Sequence, residues 1–414
     1  MKIIHVYDGH ERSHQGRGSL PRIVWNVASR TADRGHDVAV IERQWSGLPR
    51  FATHDGVYFR RLPLRVGSDE PWEEVPYEMV GSASGVGKLL VDRTDFALRT
   101  LRVLGGIDYD VLHVYLPFAA NVLVTVAPRL RKRLVFTAQL GELRLNSLTE
   151  TSTSEDFDAP AVLRRFSPDV YLAKRASHTT VLNANVKRIF AEQGVPTERL
   201  THVPNGVDVE HSGGVNTAAR ERIARTYDLR DERVVLFVGT VMPRKGVLEL
   251  VRAVAAVVHE HGLDDVRLVV AGEADLDERY TDSVRSLISE LGIDEHVVFT
   301  GYLTDRDLLP LYERSDVFAL PSFEEGFGMV VSEAMAMGTP AIGSNISGID
   351  QQIEDGVSGI LVEPGDPARL AEAIVELLDD PAKRNEMGDR ARQRARRFSW
   401  ETVVDDYVGV YKRL

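Results

Sequence analysis

Two glutamates, Glu325 and Glu333, flank a glycine-bearing turn, Gly326-Phe327-Gly328, that should open a helix over about Met329 to Met337, stopped by Gly338 and Pro340. The turn follows an apolar, strand-like run, Val317–Leu320. A glycine turn at the C-terminal end of a strand lets backbone N–H groups approach a phosphate or a sugar closely. The neighbours of Glu333 (Val330, Val331, Ala334, Met337) are apolar, so burying its carboxylate requires hydrogen-bond donors, and ribose hydroxyls are suitable. The alternative is that Glu333 faces solvent and Glu325 merely complements a helix dipole. Upstream, Val234–Val238 leads through Gly239-Thr240-Val241-Met242-Pro243-Arg244-Lys245-Gly246 into an apolar helix, Val247–Val258. That sets two cations, Arg244 and Lys245, where a diphosphate would need them; a solvated basic pair is the other reading.

The elements that must position these residues alternate between strand-length apolar runs and amphipathic helices, the pattern of parallel sheets with crossover helices. In the first half the strand candidates are Ile3–Tyr7, Val38–Ile41, Val111–Val114, Leu134–Thr137, Thr179–Leu182 and Leu200–Val203. In the second they are Val234–Val238, Leu268–Ala271, Val297–Thr300, Val317–Leu320, Ala341–Gly343 and Gly359–Val362. Between the halves, Pro204-Asn205-Gly206-Val207-Asp208 and a polar stretch with Gly213-Gly214 read as a turn and linker. The expected domains are therefore residues 1–206 and 207–396, with 397–414 as a closing segment. Its helix, Trp400–Leu414, carries an apolar stripe (Val403, Val404, Tyr407, Val410, Tyr411) that needs a surface to dock on. Pro63–Gly87 and Gly141–Pro160 read as long loops, either substrate-facing or simply mobile surface.

Length agrees with that division: 414 residues exceed what one hydrophobic core usually spans. The net charge of −12 argues against a general nucleic-acid binder, which needs a basic face to displace phosphate counterions. The absence of cysteine excludes disulfides, thiolate-bound zinc and a cysteine nucleophile. The opening Met1-Lys2-Ile3-Ile4-His5-Val6-Tyr7 is too short for a signal peptide, and no later run has spanning length, so the cytoplasm is the expected compartment.

Taken together, Phe237-Val238-Gly239 with Lys245-Gly246, Ala271-Gly272-Glu273, Gly301-Tyr302-Leu303, and Glu325-Gly326-Phe327-Gly328 running to Glu333-Ala334-Met335-Ala336 resemble, in order and spacing, the retaining family-four glycosyltransferases of the GT-B fold. Gly16-Arg17-Gly18, Arg34-Gly35-His36-Asp37-Val38, Asp110-Val111-Leu112-His113, Pro204-Asn205-Gly206-Val207-Asp208 and Phe398-Ser399-Trp400 extend the likeness over nearly the whole chain. The resemblance implies an α/β protein with two Rossmann-like domains, their parallel sheets facing across a cleft, and a C-terminal helix returning to the N-terminal domain. It implies that Glu333 binds the ribose, Glu325 the hydroxyls of the donor sugar, and Lys245, with Arg244, the diphosphate of a UDP- or GDP-sugar. Gly272, Gly326, Phe327 and Gly328 would line the donor, Tyr302 or Leu303 would flank the base, and Gly16 and Gly18 would close over the diphosphate. The acceptor would be a glycan, a lipid-linked glycan or a small molecule, commonly in envelope or exported glycan synthesis. The rival readings are a GT-B sugar-nucleotide epimerase or disaccharide synthase, and a donor-binding protein without catalysis.

Two positions depart from the family pattern. Thr240 stands where members carry arginine after the phosphate-turn glycine, and Gln139, in Val135-Phe136-Thr137-Ala138-Gln139, stands where they carry a histidine near the reacting sugar. Glutamine keeps an amide but neither a charge nor a base, so Gln139 joins Glu325 and Lys245 as the expected catalytic set, with His10, His14 and His113 as candidates to compensate. Asp108-Tyr109-Asp110 and Asp275-Leu276-Asp277 have the Asp-x-Asp spacing of metal-dependent transferases but read better as structural, so no metal or other cofactor is expected. Arg129-Leu130-Arg131-Lys132-Arg133, with Lys88, Arg93, Arg99 and Arg102 on an apolar helix, raises peripheral contact with the inner membrane face as an expectation; a solvated connection explains the first run equally well.

Overall fold

The computed structural model describes residues 1–66, 68–71, 83–139, 167–209 and 217–414. The loop expected over Gly141–Pro160, the middle of Pro63–Gly87 and the Gly213-Gly214 stretch lie outside the described residues. The chain divides into two compact units: Met1–Asn205 with Trp400–Leu414, and Gly206–Ser399.

Unit 1 is built on β1 (Lys2–Tyr7), β2 (Asp37–Arg43), β3 (Phe51–His54), β4 (Val57–Leu62), β5 (Val111–Val114), β6 (Leu134–Ala138), β7 (His178–Val181) and β8 (Leu200–His202). They lie in the order β3-β4-β2-β1-β5-β6-β7-β8. Its helices are α1 (Ser19–Asp33), α2 (Ala83–Leu104), α3 (Pro117–Val126), α4 (Pro168–Ala173) and α5 (Ala184–Glu192). Strands β5, β6 and β7 are buried along their whole length, as parallel strands covered on both faces must be. One face of the sheet packs Leu112, Val114, Phe136 and Ala138 against Phe96, Leu123, Leu172 and Phe190.

The expectation of a purely parallel sheet needs correction at one edge. β3 and β4 form an antiparallel hairpin, turned by Asp55 and Gly56 at φ 44° and 75°, and only β4 joins β2 in parallel. Asp-Gly is a strong two-residue hairpin signal. The strands around it escaped notice because β4 is half polar: Arg60 and Arg61 interrupt its apolar run, yet Arg61 is fully buried, its Nε donating to Glu42 on β2 at 2.8 Å.

Unit 2 carries β9 (Arg233–Val238), β10 (Val266–Ala271), β11 (Val297–Gly301), β12 (Val317–Leu320), β13 (Ala341–Ser344) and β14 (Gly359–Val362) in the order β11-β10-β9-β12-β13-β14, every pairing parallel. This is the doubly wound Rossmann order, whose topological switch point falls between β9 and β12, where ligands bind at the C-terminal strand ends. Its helices are α6 (Thr217–Thr226), α7 (Val247–His259), α8 (Glu278–Glu290), α9 (Asp305–Arg314), α10 (Met329–Met337), α11 (Pro367–Asp379) and α12 (Pro381–Ala395).

The closing helix, α13 (Trp400–Tyr411), belongs to unit 1. Its stripe of Val403, Val404, Tyr407, Val410 and Tyr411 is buried. Arg34, the C-cap of α1, fastens its exposed side, donating to the Asp405 carboxylate and the Glu401 carbonyl, each at 2.8 Å.

Candidate functional site

Both turns singled out by their residues lie at the switch point of unit 2. One leaves β9 and enters α7; the other leaves β12 and enters α10; and β9 and β12 are neighbours in the sheet. Parallel strands deliver their C-terminal ends to one side, so Lys245 and Glu325 meet although eighty positions separate them. The Lys245 ammonium donates to Glu325 Oε1, and Ser322 donates to the same oxygen at 3.0 Å. Arg244, more exposed, stands 3.8 Å from Glu325 Oε2 and shares a turn with Phe323, whose N–H donates to the Arg244 carbonyl at 2.8 Å.

The turns fit because particular positions lack a side chain. Gly246 caps α7 at φ 66°, and a Cβ there would lie 2.1 Å from the Pro321 carbonyl oxygen, so the lysine turn can nestle against the end of β12 only with glycine. Gly272 presses on Gly239 in the same way: a Cβ would sit 2.1 Å from the Gly239 carbonyl oxygen. Gly328, at φ 80°, is the N-cap of α10.

Glu333, on the second turn of α10, is 8 % exposed, as is Glu325. Its Oε2 accepts a 3.0 Å hydrogen bond from the hydroxyl of Tyr312 on α9, which supplies the donor that burial among apolar neighbours demanded. Lys245 is equally buried; burial pushes its ammonium below the usual lysine range, and the Glu325 carboxylate opposes that shift. Lys245 and Glu325 thus form a buried pair at one end of the sheet, and α10, which starts after the Glu325 turn, carries a second buried carboxylate. Of the remaining residues expected at the donor, Tyr302 is exposed and Leu303 half-buried at the end of β11, beside the Gly272 turn, whose N–H donates to the Gly301 carbonyl at 3.0 Å.

One residue that the sequence reading missed holds this region together. Gln352 is fully buried, and its amide donates to the carbonyls of Phe327 and, at 2.8 Å, Gly348, while its Oε1 accepts from Ser332. Only three-dimensional proximity reveals this role; a glutamine in Asp350-Gln351-Gln352 carries no local signal of it.

In unit 1, Gly16 and Gly18 lie between β1 and α1. The Arg17 and Gly18 N–H groups donate to the Glu11 carboxylate at 2.6 and 2.9 Å, and the Ser13 N–H and hydroxyl donate to Glu42 at 2.9 and 2.7 Å. A Cβ on Gly16 would stand 2.3 Å from the Arg12 carbonyl oxygen, so packing inside the loop itself favours glycine there, whereas at Gly18 it would meet the movable Glu11 carboxylate at 2.4 Å. Gln139, at the end of β6, exchanges amide hydrogen bonds with Asn205 at 3.4 and 3.3 Å. His113 is a buried structural histidine, between the Tyr411 hydroxyl at 2.8 Å and Thr137 at 2.6 Å. His14 stacks on His54 with ring centroids 4.3 Å apart.

The Asp-x-Asp pairs have structural partners. Asp277 caps α8 by accepting from the Tyr280 N–H at 3.0 Å, and Asp110 accepts from the Lys2 N–H at 2.8 Å. The basic stripe expected on α2 is partly internal: Arg93 is buried, and Arg99 pairs with Asp95 at 2.8 Å. In the other basic run, Arg131 donates to the Val124 carbonyl at 3.0 Å. Among the described residues, no helix is long and apolar enough to cross a membrane.

Residues 219–394 match the sequence family described as glycosyl transferases group 1, and residues 20–211 match glycosyltransferase family 4. The D-inositol 3-phosphate glycosyltransferase 1 of Catenulispora acidiphila is 32% identical over 407 residues, covering 95% of this chain and 90% of that protein. The D-inositol 3-phosphate glycosyltransferase of Corynebacterium efficiens is 30% identical over 312 residues, covering 74% and 72%. Among solved structures, sucrose-phosphate synthase from Thermosynechococcus elongatus superposes with a TM-score of 0.78 at 22% identity, over 100% of this chain and 98% of that one. Anabaena Alr3699/HepE, solved with UDP and glucose, superposes with a TM-score of 0.74 at 20% identity over the whole of both chains.

Proposed function

This chain belongs to the group 1, family-four glycosyltransferases of the GT-B fold, and from that membership we propose that it moves a hexose, with retention of configuration, from a UDP- or GDP-sugar to a hydroxyl of an acceptor. The observation that carries the reading is the meeting of Lys245 and Glu325 at the switch point of unit 2, with Glu333 buried on the second turn of the helix that follows Glu325. Glu333 takes the ribose hydroxyls, Glu325 the hydroxyls of the sugar, and Lys245 with the N-terminal ends of α7 and α10 neutralises the departing diphosphate. As the C1–O bond to the diphosphate breaks, the acceptor oxygen bonds to C1 on the same face and its proton passes to the leaving phosphate oxygen. No enzymic nucleophile and no metal enter that path. The names of the relatives put a small polyol acceptor ahead of a lipid-linked one.

The test is a thermal-shift and hydrolysis screen across UDP-, GDP- and ADP-sugars. One donor is expected to stabilise the protein and to be hydrolysed slowly, with EDTA making no difference. If none of the donors stabilises it, the transferase reading fails.

A further inference from the structure

Ser322 is the first polar residue after the wholly apolar β12 and is itself fully buried. A buried hydroxyl has to find a hydrogen-bond partner, whereas alanine would fit the same place with no such demand, so the hydroxyl at this position is tied to what it bonds. That partner is Glu325 Oε1, 3.0 Å away, and the Lys245 ammonium donates to the same atom. Oε1 thus holds two donors, one for each of its lone pairs. Oε2 is placed differently. The cation facing it, Arg244, stands 3.8 Å away, beyond hydrogen-bond range, and is the more exposed of the two basic residues.

The two donors on Oε1 do different work. Lysine is a compact charge at the end of a flexible stem, and its three N–H donors rotate to suit the acceptor, so it holds the carboxylate without fixing its rotation. Serine has a single staggered torsion between backbone and hydroxyl, and Ser322 lies three positions before Glu325 on the same turn. We propose that Ser322 is a positioning residue: by keeping Oε1 turned inward it leaves Oε2 as the one oxygen that Glu325 offers to a hydroxyl of the transferred sugar. The word sugar rests on the reading of Glu325 given above; the pairing of Ser322 with Glu325 stands on the geometry of unit 2 alone.

The test uses the full chain with Ser322→Ala, Ser322→Thr, Glu325→Ala and the double variant Ser322→Ala with Glu325→Ala. Thermal denaturation needs no donor: Ser322→Ala should lower Tm by a few degrees in the parent and not at all in the Glu325→Ala background. An equal fall in both backgrounds means that Ser322 does not act through Glu325 and overturns the proposal. UDP-glucose, UDP-N-acetylglucosamine and GDP-mannose are then offered. For the donor that the parent turns over, kcat should fall about tenfold in Ser322→Ala while the dissociation constant of the matching nucleoside diphosphate stays within about twofold, and Ser322→Thr, which keeps the hydroxyl, should restore most of the loss. An unchanged kcat, or a nucleotide affinity that falls as far as kcat does, makes Ser322 merely structural and overturns the proposal. Should the parent turn over none of the three while the stability coupling holds, the transferase reading fails and the pairing that fixes Oε1 survives, so the two failures are told apart.

Discussion

The hydroxyl of Tyr312 donates to Glu333 Oε2 at 3.0 Å, and both groups are buried. The carboxylate proposed to take the ribose is therefore aimed before any ligand arrives. Replacing Tyr312 by Phe removes a hydrogen bond to a charged group, worth about 1.5–3 kcal/mol, without creating a cavity. The expected result is a UDP dissociation constant raised about tenfold, with kcat at saturating donor little changed. Isothermal titration of UDP and steady-state kinetics check it; an unaltered UDP affinity would show that Tyr312 does not aim Glu333.

Glu325 and Glu333 should separate by ligand. On the proposed assignment Glu325→Ala removes a contact to the sugar, so turnover of the sugar nucleotide should fall by at least about 10²-fold while free UDP binds within a fewfold of the parent. Glu333→Ala should weaken UDP and UDP-sugar alike. Equal effects of both substitutions on UDP would contradict the assignment of one to the sugar and the other to the ribose.

Lys245→Ala leaves Glu325 buried with only the more exposed Arg244, 3.8 Å away, as a cationic partner. Breaking a buried pair from one side costs about 3–5 kcal/mol, so this variant should melt well below the parent as well as lose activity. Lys245→Ala combined with Glu325→Ala should recover much of the lost stability and none of the activity. Thermal denaturation of the three variants decides this; a double variant no more stable than Lys245→Ala alone refutes the coupling.

Gln352→Leu orphans the Phe327 and Gly348 carbonyls and the Ser332 hydroxyl, each at about 1–3 kcal/mol. Urea denaturation should show unit 2 losing several kcal/mol, and donor affinity should fall with it because the turn is no longer held. If Gln352→Leu binds UDP as the parent does, the amide is not what shapes the turn.

The alternation of apolar runs and amphipathic helices revealed nearly every parallel strand, because strands buried on both faces are continuously apolar and their helices carry a visible stripe. The two glycine turns were legible for the same reason: strand, glycine, helix is a local pattern. What escaped were features made by residues far apart in sequence. The β3–β4 hairpin hides behind Arg60 and Arg61, and the cost of burying Arg61 is met by Glu42 on another strand. Gln352 works on a turn twenty-five positions away, and Glu11 reads as surface acid until its carboxylate is seen against the Arg17 and Gly18 N–H groups. His113, considered for chemistry, turns out to be claimed by Tyr411 from the far end of the chain.

Unit 1 should be sensitive to acid through His5. Burial pulls its imidazole from 6.5 to about 3, and His113 is displaced in the same direction. The unfolded chain therefore binds more protons than the folded one below pH 6.5, so the stability these groups confer is whole above 6.5 and drains away as pH falls toward 3. The slope is about 1.4 kcal/mol per pH unit for each histidine. Comparing denaturation of the parent and His5→Gln between pH 7 and pH 4 should show a shallower fall in the variant by about one proton; parallel curves would mean that His5 titrates normally in the fold.

Because α13 completes the unit that began at Met1, residues 206–399 are threaded through the making of unit 1. The surface that buries Val403, Tyr407 and Tyr411 can therefore be filled only after every residue of unit 2 has been made, so the first unit to be started is the last to have all its parts.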